Sequence, residues 1–272
     1  MLNSVKKIGS VLELFSPDRP EWRLSEVSRE LGIPKSTTHA LMAALVEIGL
    51  LSPSLQGGYR LGPGLLCLGE RMRAGLDFRT HAVPVMRLLS ESLLESSHLA
   101  ILDRHRVVYL ERVDGQHPAV RLAGDHLEAM VPAHASAAGK VMLAHQDLDA
   151  MRHLMRGRLQ RCTERTMTEM PRLEDELRRV RVRGFAADLA ETTPDVASLA
   201  APVVDRFGTV VAAIGISMPS YRFDASRAKT LERLLQATSA VSDELQAAPA
   251  ARDFRRSPRA FQPRARSASA TA

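Results

Sequence analysis

Apolar residues recur at helical spacing in the first quarter of the chain. A first stripe consists of Val5, Ile8, Leu12 and Phe15. Residues three or four apart share one face of a helix, so the stripe predicts an amphipathic helix, which the prolines in residues 16–20 end. Leu24, Val27 and Leu31 predict a second helix over residues 24–31, ended by Gly32.

A third helix and a hairpin follow. Pro34 is suited to the first turn of a helix over residues 35–48, whose predicted buried stripe is Leu41, Leu45 and Ile48. Residues 50–52 and 58–61 have the character of two short strands around a turn that contains proline, serine and glycine. The first 62 residues therefore predict three helices and a hairpin.

The rest of the chain alternates between helical and strand patterns. Helices are predicted within 63–80 through Leu65, Leu66, Leu68 and Met72, and over 83–97, 136–144, 172–183 and 225–245. Strands are predicted at 99–102, 107–110, 198–204 and 209–217, joined in pairs by charged turns. Strands in hairpins with helices outside them are typical of an antiparallel α+β domain.

Length, composition and charge refine this picture. A chain of 272 residues is long for one core, so at least two domains are expected. Residues 249–272 are rich in arginine, serine, alanine and proline, which predicts a disordered tail. Five of the six net positive charges lie in that tail and only one in residues 1–62, so the overall charge says little about DNA binding.

The sequence also excludes several classes of protein. Two cysteines, Cys67 and Cys162, cannot form a disulfide scaffold or a cysteine-built zinc site. No leader and no apolar run of transmembrane length is visible, so a cytoplasmic protein with reduced thiols is expected. Cys67 is expected to be buried. We expect no membrane partner, no metal and no cofactor.

The second and third helices match a helix-turn-helix pattern, with Gly32 supplying the positive φ of the turn. The third helix would enter the major groove, and the hairpin would press on the adjacent backbone as a wing. The residues predicted to face DNA are Lys35, Ser36, Thr37, His39, Ala40, Ala43, Tyr59 and Arg60. The alternative is a three-helix packing module that does not contact DNA.

Five segments together resemble IclR-type transcriptional regulators. They are residues 24–39, 59–62, 134–140, 183–185 and 200–203, in the order and spacing of that family, and they span about residues 4–245. The resemblance implies a winged helix-turn-helix domain, a linker helix and a GAF-like antiparallel domain that binds a small effector and forms dimers or tetramers on double-stranded operator DNA. The expected boundaries are 1–62, 63–80 and 81–247, followed by the tail at 248–272.

The chain departs from the family pattern in the second and third helices. Ala40 stands where the family usually has arginine, which removes one expected DNA contact. Thr38 replaces an apolar β-branched residue and Ser28 replaces alanine. Both hydroxyls can bond to backbone carbonyls within the helix, so they need not disturb packing.

Residues 134–140 predict a loop that opens a helix. The N–H groups at such an N-terminus favour a carboxylate. The resemblance implies an effector site built from Ala137, Ala138, Asp188, Ser198, Gly215 and Ser217. Asp188 would accept a hydroxyl proton from the ligand. Gly215 replaces the serine of some relatives, which would enlarge the pocket and favour an acid of more than three carbons, aromatic or cyclic. Alternatively, the small residues only let a helix pack closely on a sheet.

The sequence contains no residue pattern typical of an enzyme active site. Ser136 and Lys140 are four residues apart, not three as in acyl-transfer enzymes, and the histidines are scattered. Cys162 has basic neighbours that could lower its pKa, although an ordinary surface thiol is the simpler interpretation. Three hypotheses remain: a ligand-responsive transcription factor, favoured as a repressor released by its ligand; a ligand-independent DNA-binding or architectural protein; and a GAF-like enzyme that uses Cys162 or a histidine.

Overall fold

The computed structural model describes residues 2–116 and 131–247. The chain divides into two compact units, one ending at Arg79 and the other starting at Thr80. The predicted disordered tail lies outside the described residues. No helix in the described ranges is both long and apolar enough to cross a membrane.

The first unit is built from four helices and a hairpin. Its elements are α1 (Leu2–Glu13), α2 (Leu24–Glu30), α3 (Lys35–Glu47), β1 (Leu51–Pro53), β2 (Tyr59–Leu61) and α4 (Gly64–Ala74). Strands β1 and β2 pair antiparallel, with Leu51 opposite Leu61. The predicted three helices and hairpin are therefore confirmed. The core of this unit contains Val11, Trp22, Val27, Met42, Leu45 and Leu51.

In α1 and α3, two residues that were predicted to lie on the buried apolar stripe are exposed. Val5 is 70% exposed and Ile48 is 63% exposed. The buried face of α1 includes Val11, and Val5 lies in the first turn, beyond that face. On α3 the buried residues are Thr38, Met42 and Leu45, and Ile48 is already the C-cap residue.

Trp22 joins the loop before α2 to the hairpin, a role that no periodicity indicated. Its backbone N–H donates to the carbonyl of Tyr59 at 3.0 Å, and its carbonyl accepts the Tyr59 N–H at 2.8 Å, as an isolated bridge beside β2. Its indole Nε1 donates to the carbonyl of Leu14 at 2.9 Å. The buried indole thus fixes the end of α1 and the hairpin in one core.

The remaining elements form an antiparallel sheet with helices. They are α5 (Asp77–Leu93), β3 (Ser96–Asp103), β4 (Arg106–Val113), β5 (Val131–Pro132), α6 (Ala137–Ala144), α7 (Leu148–Met155), α8 (Met170–Arg183), β6 (Ala186–Leu189), β7 (Val196–Val204), β8 (Val210–Pro219) and α9 (Ser220–Ala247). The strand order is β5-β4-β3-β8-β7-β6, and every neighbouring pair is antiparallel. The predicted α+β class is confirmed.

The two faces of this sheet have different coverings. Helix α6 packs on β7, β8, β3 and β6 through a core of small residues that includes Ala100, Ala186, Ala200 and Ala213. Residues directly opposite in an antiparallel sheet point to the same side, so these alanines define the α6 face. Helix α9 packs on β7 and β8, and its Ser226 hydroxyl bonds to Met218, which points to the other face.

The predicted helix over 83–97 differs from the observed one at both ends. Helix α5 starts at Asp77, continues through Pro84 and ends at Leu93, because Ser96 and Ser97 already belong to β3. Two short strands, β5 and β6, and helix α7 were not predicted. Each has eight residues or fewer, which is too short for a periodic pattern to stand out.

Candidate DNA-binding surface and ligand site

The turn between α2 and α3 is held by two hydroxyl groups. Gly32 has φ +63°, as the sequence predicts. The Ser28 hydroxyl donates to the Ile33 carbonyl at 2.6 Å, and the Thr38 hydroxyl lies 3.4 Å from the same oxygen and 3.1 Å from the Pro34 carbonyl. Thr38 therefore bonds back along its helix as predicted, whereas Ser28 bonds to the turn. Pro34 is the N-cap residue of α3 and precedes its first turn.

One side of helix α3 is exposed and consists of polar and small residues. Lys35, Ser36, His39, Ala40 and Ala43 are exposed and Thr37 is half-buried. The first turn contains no acidic side chain. An exposed helix N-terminus with a lysine and hydroxyl groups can bind phosphate. Their contact with DNA stays a prediction.

The two hairpin residues predicted to touch DNA differ in their surroundings. Tyr59 is half-buried and packs against the core of the first unit. The Arg60 guanidinium is paired with Glu21, at 2.9 Å from Nε and 2.8 Å from a terminal nitrogen. The Ser54 hydroxyl donates to the same carboxylate at 2.6 Å, and these two hydrogen bonds lower the pKa of Glu21. A phosphate contact by Arg60 would use the guanidinium N–H groups that do not face Glu21, or would displace Glu21.

Helix α4 contains no buried residue. Cys67 is exposed, so its predicted burial is wrong. Leu66, Leu68 and Met72 are also exposed, because this helix has no inward face against the core of its own unit.

The N-terminus of α6 lies on the sheet face already described. Ser136 is the N-cap residue, and its hydroxyl accepts the Gly139 N–H at 3.1 Å. Ala137 and Ala138 occupy the next two positions, are almost fully buried, and pack in one cluster with Ala100 and Ala200. The N–H groups of the first helical turn have no partner within the helix, so they can bind an anion.

The other predicted ligand residues are neighbours across three strands. Asp188 on β6 is opposite Ser198 on β7, and Ser198 is opposite Ser217 on β8. The two serine hydroxyls are 2.9 Å apart. Gly215 lies two residues before Ser217 and points to the same side. The structure thus brings Asp188, Ser198, Gly215 and Ser217 together on the α6 face.

Asp188 is engaged by its own loop. One carboxylate oxygen accepts the Glu191 N–H at 2.7 Å and the Thr192 N–H at 3.4 Å, and the other accepts the Thr192 hydroxyl. Burial raises the pKa of this carboxyl against those hydrogen bonds. The loop after β6 also contains two residues with positive φ, Ala190 and Asp195. The carboxylate therefore helps to hold a strained loop.

A buried ion pair lies beside this loop. Lys140 of α6 is fully buried, and its ammonium donates to the Ala187 carbonyl at 3.1 Å and to the Glu191 carboxylate. Burial raises the pKa of Glu191, and the charge of Lys140 opposes that shift. The pair ties α6 to β6, and thereby fixes the helix N-terminus relative to Asp188.

Two aromatic residues on this face were missed by the sequence reasoning. His98 on β3 is opposite Gly215 and only 2% exposed, and its ring packs edge to face on Tyr109 with centroids 5.0 Å apart. A Cβ atom at position 215 would lie 2.3 Å from His98 Nε2. The space that Gly215 was expected to add to the pocket is therefore filled by the imidazole ring. Successive side chains of a strand point to opposite faces of the sheet, and in β3 this alternation was the one signal that could have placed His98 on the same face as Ser96.

The histidine and cysteine candidates for catalysis have structural partners. His134 Nε2 donates to the Gln160 carbonyl at 3.0 Å, consistent with the packing role predicted for it. Burial raises the pKa of the Cys162 thiol, and the charge of Asp188 adds to the shift. The basic neighbours therefore do not lower this pKa, and the exposed thiol fits the simpler interpretation of an ordinary surface cysteine. Within residues 2–116 and 131–247, no group of three His, Cys, Asp or Glu side chains could hold a metal ion.

One open cleft of about 640 Å³ lies away from the predicted ligand residues. It is lined by residues of α7, α8 and the segment between them, among them Arg152, Gln160 and Glu174. The Arg152 guanidinium binds the Glu174 carboxylate through two hydrogen bonds of 2.6 and 2.8 Å. None of the predicted effector residues lines this cleft.

Comparison with known proteins matches both parts of the chain to one family. Residues 4–54 match the IclR helix-turn-helix domain, and residues 72–243 match the C-terminal domain of bacterial IclR transcriptional regulators. The regulator XynR of Escherichia coli K12 is 31% identical over 248 residues, which cover 90% of this chain and 98% of XynR. The regulator KdgR of the same strain is 31% identical over 228 residues, or 83% of this chain and 86% of KdgR.

Solved structures agree with this result. An IclR-type regulator described from Silicibacter sp. TM1040 superposes with a TM-score of 0.79 at 25% identity, covering 91% of this chain and 98% of that one. An IclR homolog from Microbacterium hydrocarbonoxydans, solved in complex with 4-hydroxybenzoate, superposes with a TM-score of 0.77 at 27% identity, covering 90% and 100%.

Proposed function

Because the chain belongs to the IclR family of DNA-binding transcriptional regulators, we propose that its second unit binds a small carboxylic acid and that this binding changes its affinity for operator DNA. The observation that carries the proposal is the position of α6. Its N-terminus, at Ala137 and Ala138, lies on the sheet face that holds Asp188, Ser198 and Ser217.

The chemistry of this face supports an acid as the ligand. The helix N-terminus offers N–H groups and a positive dipole end to a carboxylate, and the serine hydroxyls can donate or accept hydrogen bonds. The complex of the Microbacterium homolog with 4-hydroxybenzoate, a carboxylic acid, supports the same class. An aromatic or cyclic acid with more than three carbons is our preferred candidate.

On the DNA side, we assign recognition to α3 and the hairpin. The exposed Lys35, Ser36, His39, Ala40 and Ala43, with the half-buried Thr37, form the surface that would lie in the major groove. Tyr59 and Arg60 would support the wing. The proposed domains are 1–62 for DNA binding, 63–80 for the linker and 81–247 for the effector and oligomerisation. Helix α4 and the start of α5 lie in the proposed linker.

The proposed mechanism is thermodynamic coupling in a homodimer or tetramer. Two recognition helices would bind two half-sites one or more helical turns apart. The acid would change operator affinity only to the extent that it binds the DNA-bound and free arrangements differently. We favour a repressor that its ligand releases from DNA, and we expect no enzymatic activity.

The test uses the full chain and DNA from upstream of its own gene. Footprinting would locate the operator, and fluorescence anisotropy would measure its affinity with and without each acid of a panel: glyoxylate, pyruvate, lactate, propionate, benzoate and 4-hydroxybenzoate. At least one acid should raise the melting temperature, as a ligand of the folded state must, and also change operator affinity. If no acid changes either quantity, the effector part of the proposal is wrong.

A matched pair of variants would locate the acid. Ala137 is the first helical residue, and Ser136 before it has φ −88° and ψ 147°, which a following proline tolerates. Ala137→Pro should therefore remove one N–H group while α6 remains folded. Ala137→Ser adds an atom at the same position but keeps the N–H. The acid should bind more weakly to the proline variant than to the serine variant; equal affinities would exclude this N–H as a contact.

Two other functions would give different results. A ligand-independent DNA-binding protein would bind the operator with an affinity that no acid alters. A GAF-like enzyme would show turnover that Cys162→Ala abolishes. The raised pKa of Cys162 makes it a poor nucleophile at neutral pH and argues against that activity.

A further inference from the structure

We propose that His98 selects the ligand, by hydrogen bonding to a hydroxyl group, so that the second unit recognises hydroxylated carboxylic acids. The inference rests on the proposed effector site. It adds the chemical class of the ligand and a residue that the sequence did not indicate.

His98 lies on the sheet face that carries the candidate ligand residues. It is opposite Gly215 and two residues before Ala100, which packs in one cluster with Ala137 and Ala138 of α6. Its Nε2 atom lies above Gly215, on the face that also holds Ser198 and Ser217. The imidazole therefore stands among the candidate ligand residues and on the side of the sheet that α6 covers.

His98 also carries a hydrogen-bonding group, its Nδ1 atom, that no described residue uses. His98 is 2% exposed, yet its Nδ1 atom has no hydrogen-bond partner within the part of the chain that the structure describes. Buried polar atoms nearly always have partners, and an exception calls for an explanation such as a ligand. Asp188 fits the role of hydroxyl acceptor less well, because both of its oxygens already accept bonds from Glu191 and Thr192.

The imidazole ring of His98 is held in its neutral form. Burial lowers the pKa of His98 to about 4, and the charge of Arg112, opposite it on β4, adds to the shift. The other polar group packed on the ring is the phenol of Tyr109, whose pKa is raised by burial and by the charge of Asp188. A neutral imidazole has one donor and one acceptor nitrogen, which suits a hydroxyl better than a carboxylate. The carboxylate is then left to the N-terminus of α6.

Glycine at position 215 makes this arrangement possible. Any side chain there would begin 2.3 Å from Nε2 and would displace the ring. Gly215 and His98 therefore act as one unit, in which the missing side chain of the glycine makes room for the imidazole ring that carries the Nδ1 atom without a partner among the described residues.

The test compares acids that differ by one hydroxyl group. Calorimetry with the full chain would measure lactate against propionate and 4-hydroxybenzoate against benzoate. In at least one pair the hydroxylated acid should bind about 10-fold more tightly or better, the ratio expected for one hydrogen bond to a buried group. In His98→Phe, which keeps an aromatic ring against Tyr109, that ratio should fall to about one. His98→Gln should recover part of it, and His153→Phe, on the exposed face of α7, should leave it unchanged.

A second measurement does not depend on the variants folding. In wild-type protein with ¹⁵N-labelled histidine, the hydroxylated acid should shift the ring nitrogens of one buried histidine more than its matched partner does. If both members of each pair bind equally, or if the ratio persists in His98→Phe, this inference is wrong while the proposed effector site stands. If no acid of the panel binds the wild type, both fail.

Discussion

The two units of the molecule place their candidate functional groups in opposite environments. In the first unit they are exposed and come mostly from one helix, α3. In the second they are buried and come from α6 and four strands, where they meet on one face of a sheet. Substitutions of these residues in the first unit should therefore alter DNA binding with little change in the free energy of unfolding. Substitutions in the second unit should mainly lower the free energy of unfolding.

The strongest test of this contrast is the buried ion pair. Lys140→Met would leave the Glu191 carboxylate buried without its cation, which costs about 3–5 kcal/mol in the free energy of unfolding. Urea denaturation of the full chain would measure the loss. Adding Glu191→Leu removes the unpaired charge, so the double variant should recover much of the stability. A loss below about 1 kcal/mol in the single variant would show that the pair does not support the fold.

Acid titration gives the next largest effect. The pKa of His98 is about 4 in the folded chain, below its ordinary value of 6.5, so the unfolded state binds the proton more readily. Stability contributed by neutral His98 is present above pH 6.5 and is lost as pH falls towards 4. Between pH 7 and pH 5 this amounts to about 2 kcal/mol.

The comparison with His98→Gln isolates this effect. His105 and His134 also have lowered pKa values, and the raised pKa values of Asp188 and Glu191 act in the opposite direction. These groups are common to both proteins, so wild type should lose more stability on acidification than the variant. Parallel curves of unfolding free energy against pH would contradict a buried neutral imidazole.

A smaller loss is expected at the turn of the helix-turn-helix. Ser28→Ala removes the 2.6 Å hydrogen bond to the Ile33 carbonyl and should cost about 1 kcal/mol. Combining it with Thr38→Val removes both donors to that oxygen, so the double variant should lose more than the sum of the two single losses. Ser36→Ala, at an exposed position of α3, is the control and should stay within about 0.5 kcal/mol of wild type.

The smallest expected effect is a gain in operator affinity. Ala40→Arg restores the side chain that the family usually has on α3, at an exposed position where it should not disturb the fold. One added phosphate contact should tighten operator binding a few-fold and steepen the slope of log affinity against log salt by about 0.9. Ala225→Arg adds the same charge on α9 and should leave the slope unchanged. Equal slopes in the two variants would remove Ala40 from the DNA surface.

The same contrast explains how far the sequence could be interpreted. The helices of the first unit follow from residues spaced three or four apart, and the exposed side of α3 follows from the same spacing. Val5 and Ile48 were assigned wrongly because periodicity does not show where a stripe leaves the core. Trp22 could not be placed, since its partner Tyr59 is 37 positions away along the chain.

In the second unit, local patterns were less informative. The α6 N-terminus and the strands β3, β4, β7 and β8 were predicted, but the order of strands depends on pairing between distant segments. His98 and Gly215 are 117 positions apart and become neighbours only through the pairing of β3 with β8. For that reason the sequence suggested an enlarged pocket at Gly215, where the structure places an imidazole.

The shared carbonyl of Ile33 has a consequence for exchanging recognition helices between relatives. A transplant of residues 35–47 alone would carry Thr38 into a host with alanine at the position of Ser28, or would leave Ser28 facing a host helix with an apolar residue. Either chimera would lack one of the two hydroxyl groups that hold the turn before α3, so its recognition helix would be less firmly positioned. The segment that must be exchanged to transfer operator specificity is therefore longer than the proposed recognition helix, and starts at Ser28.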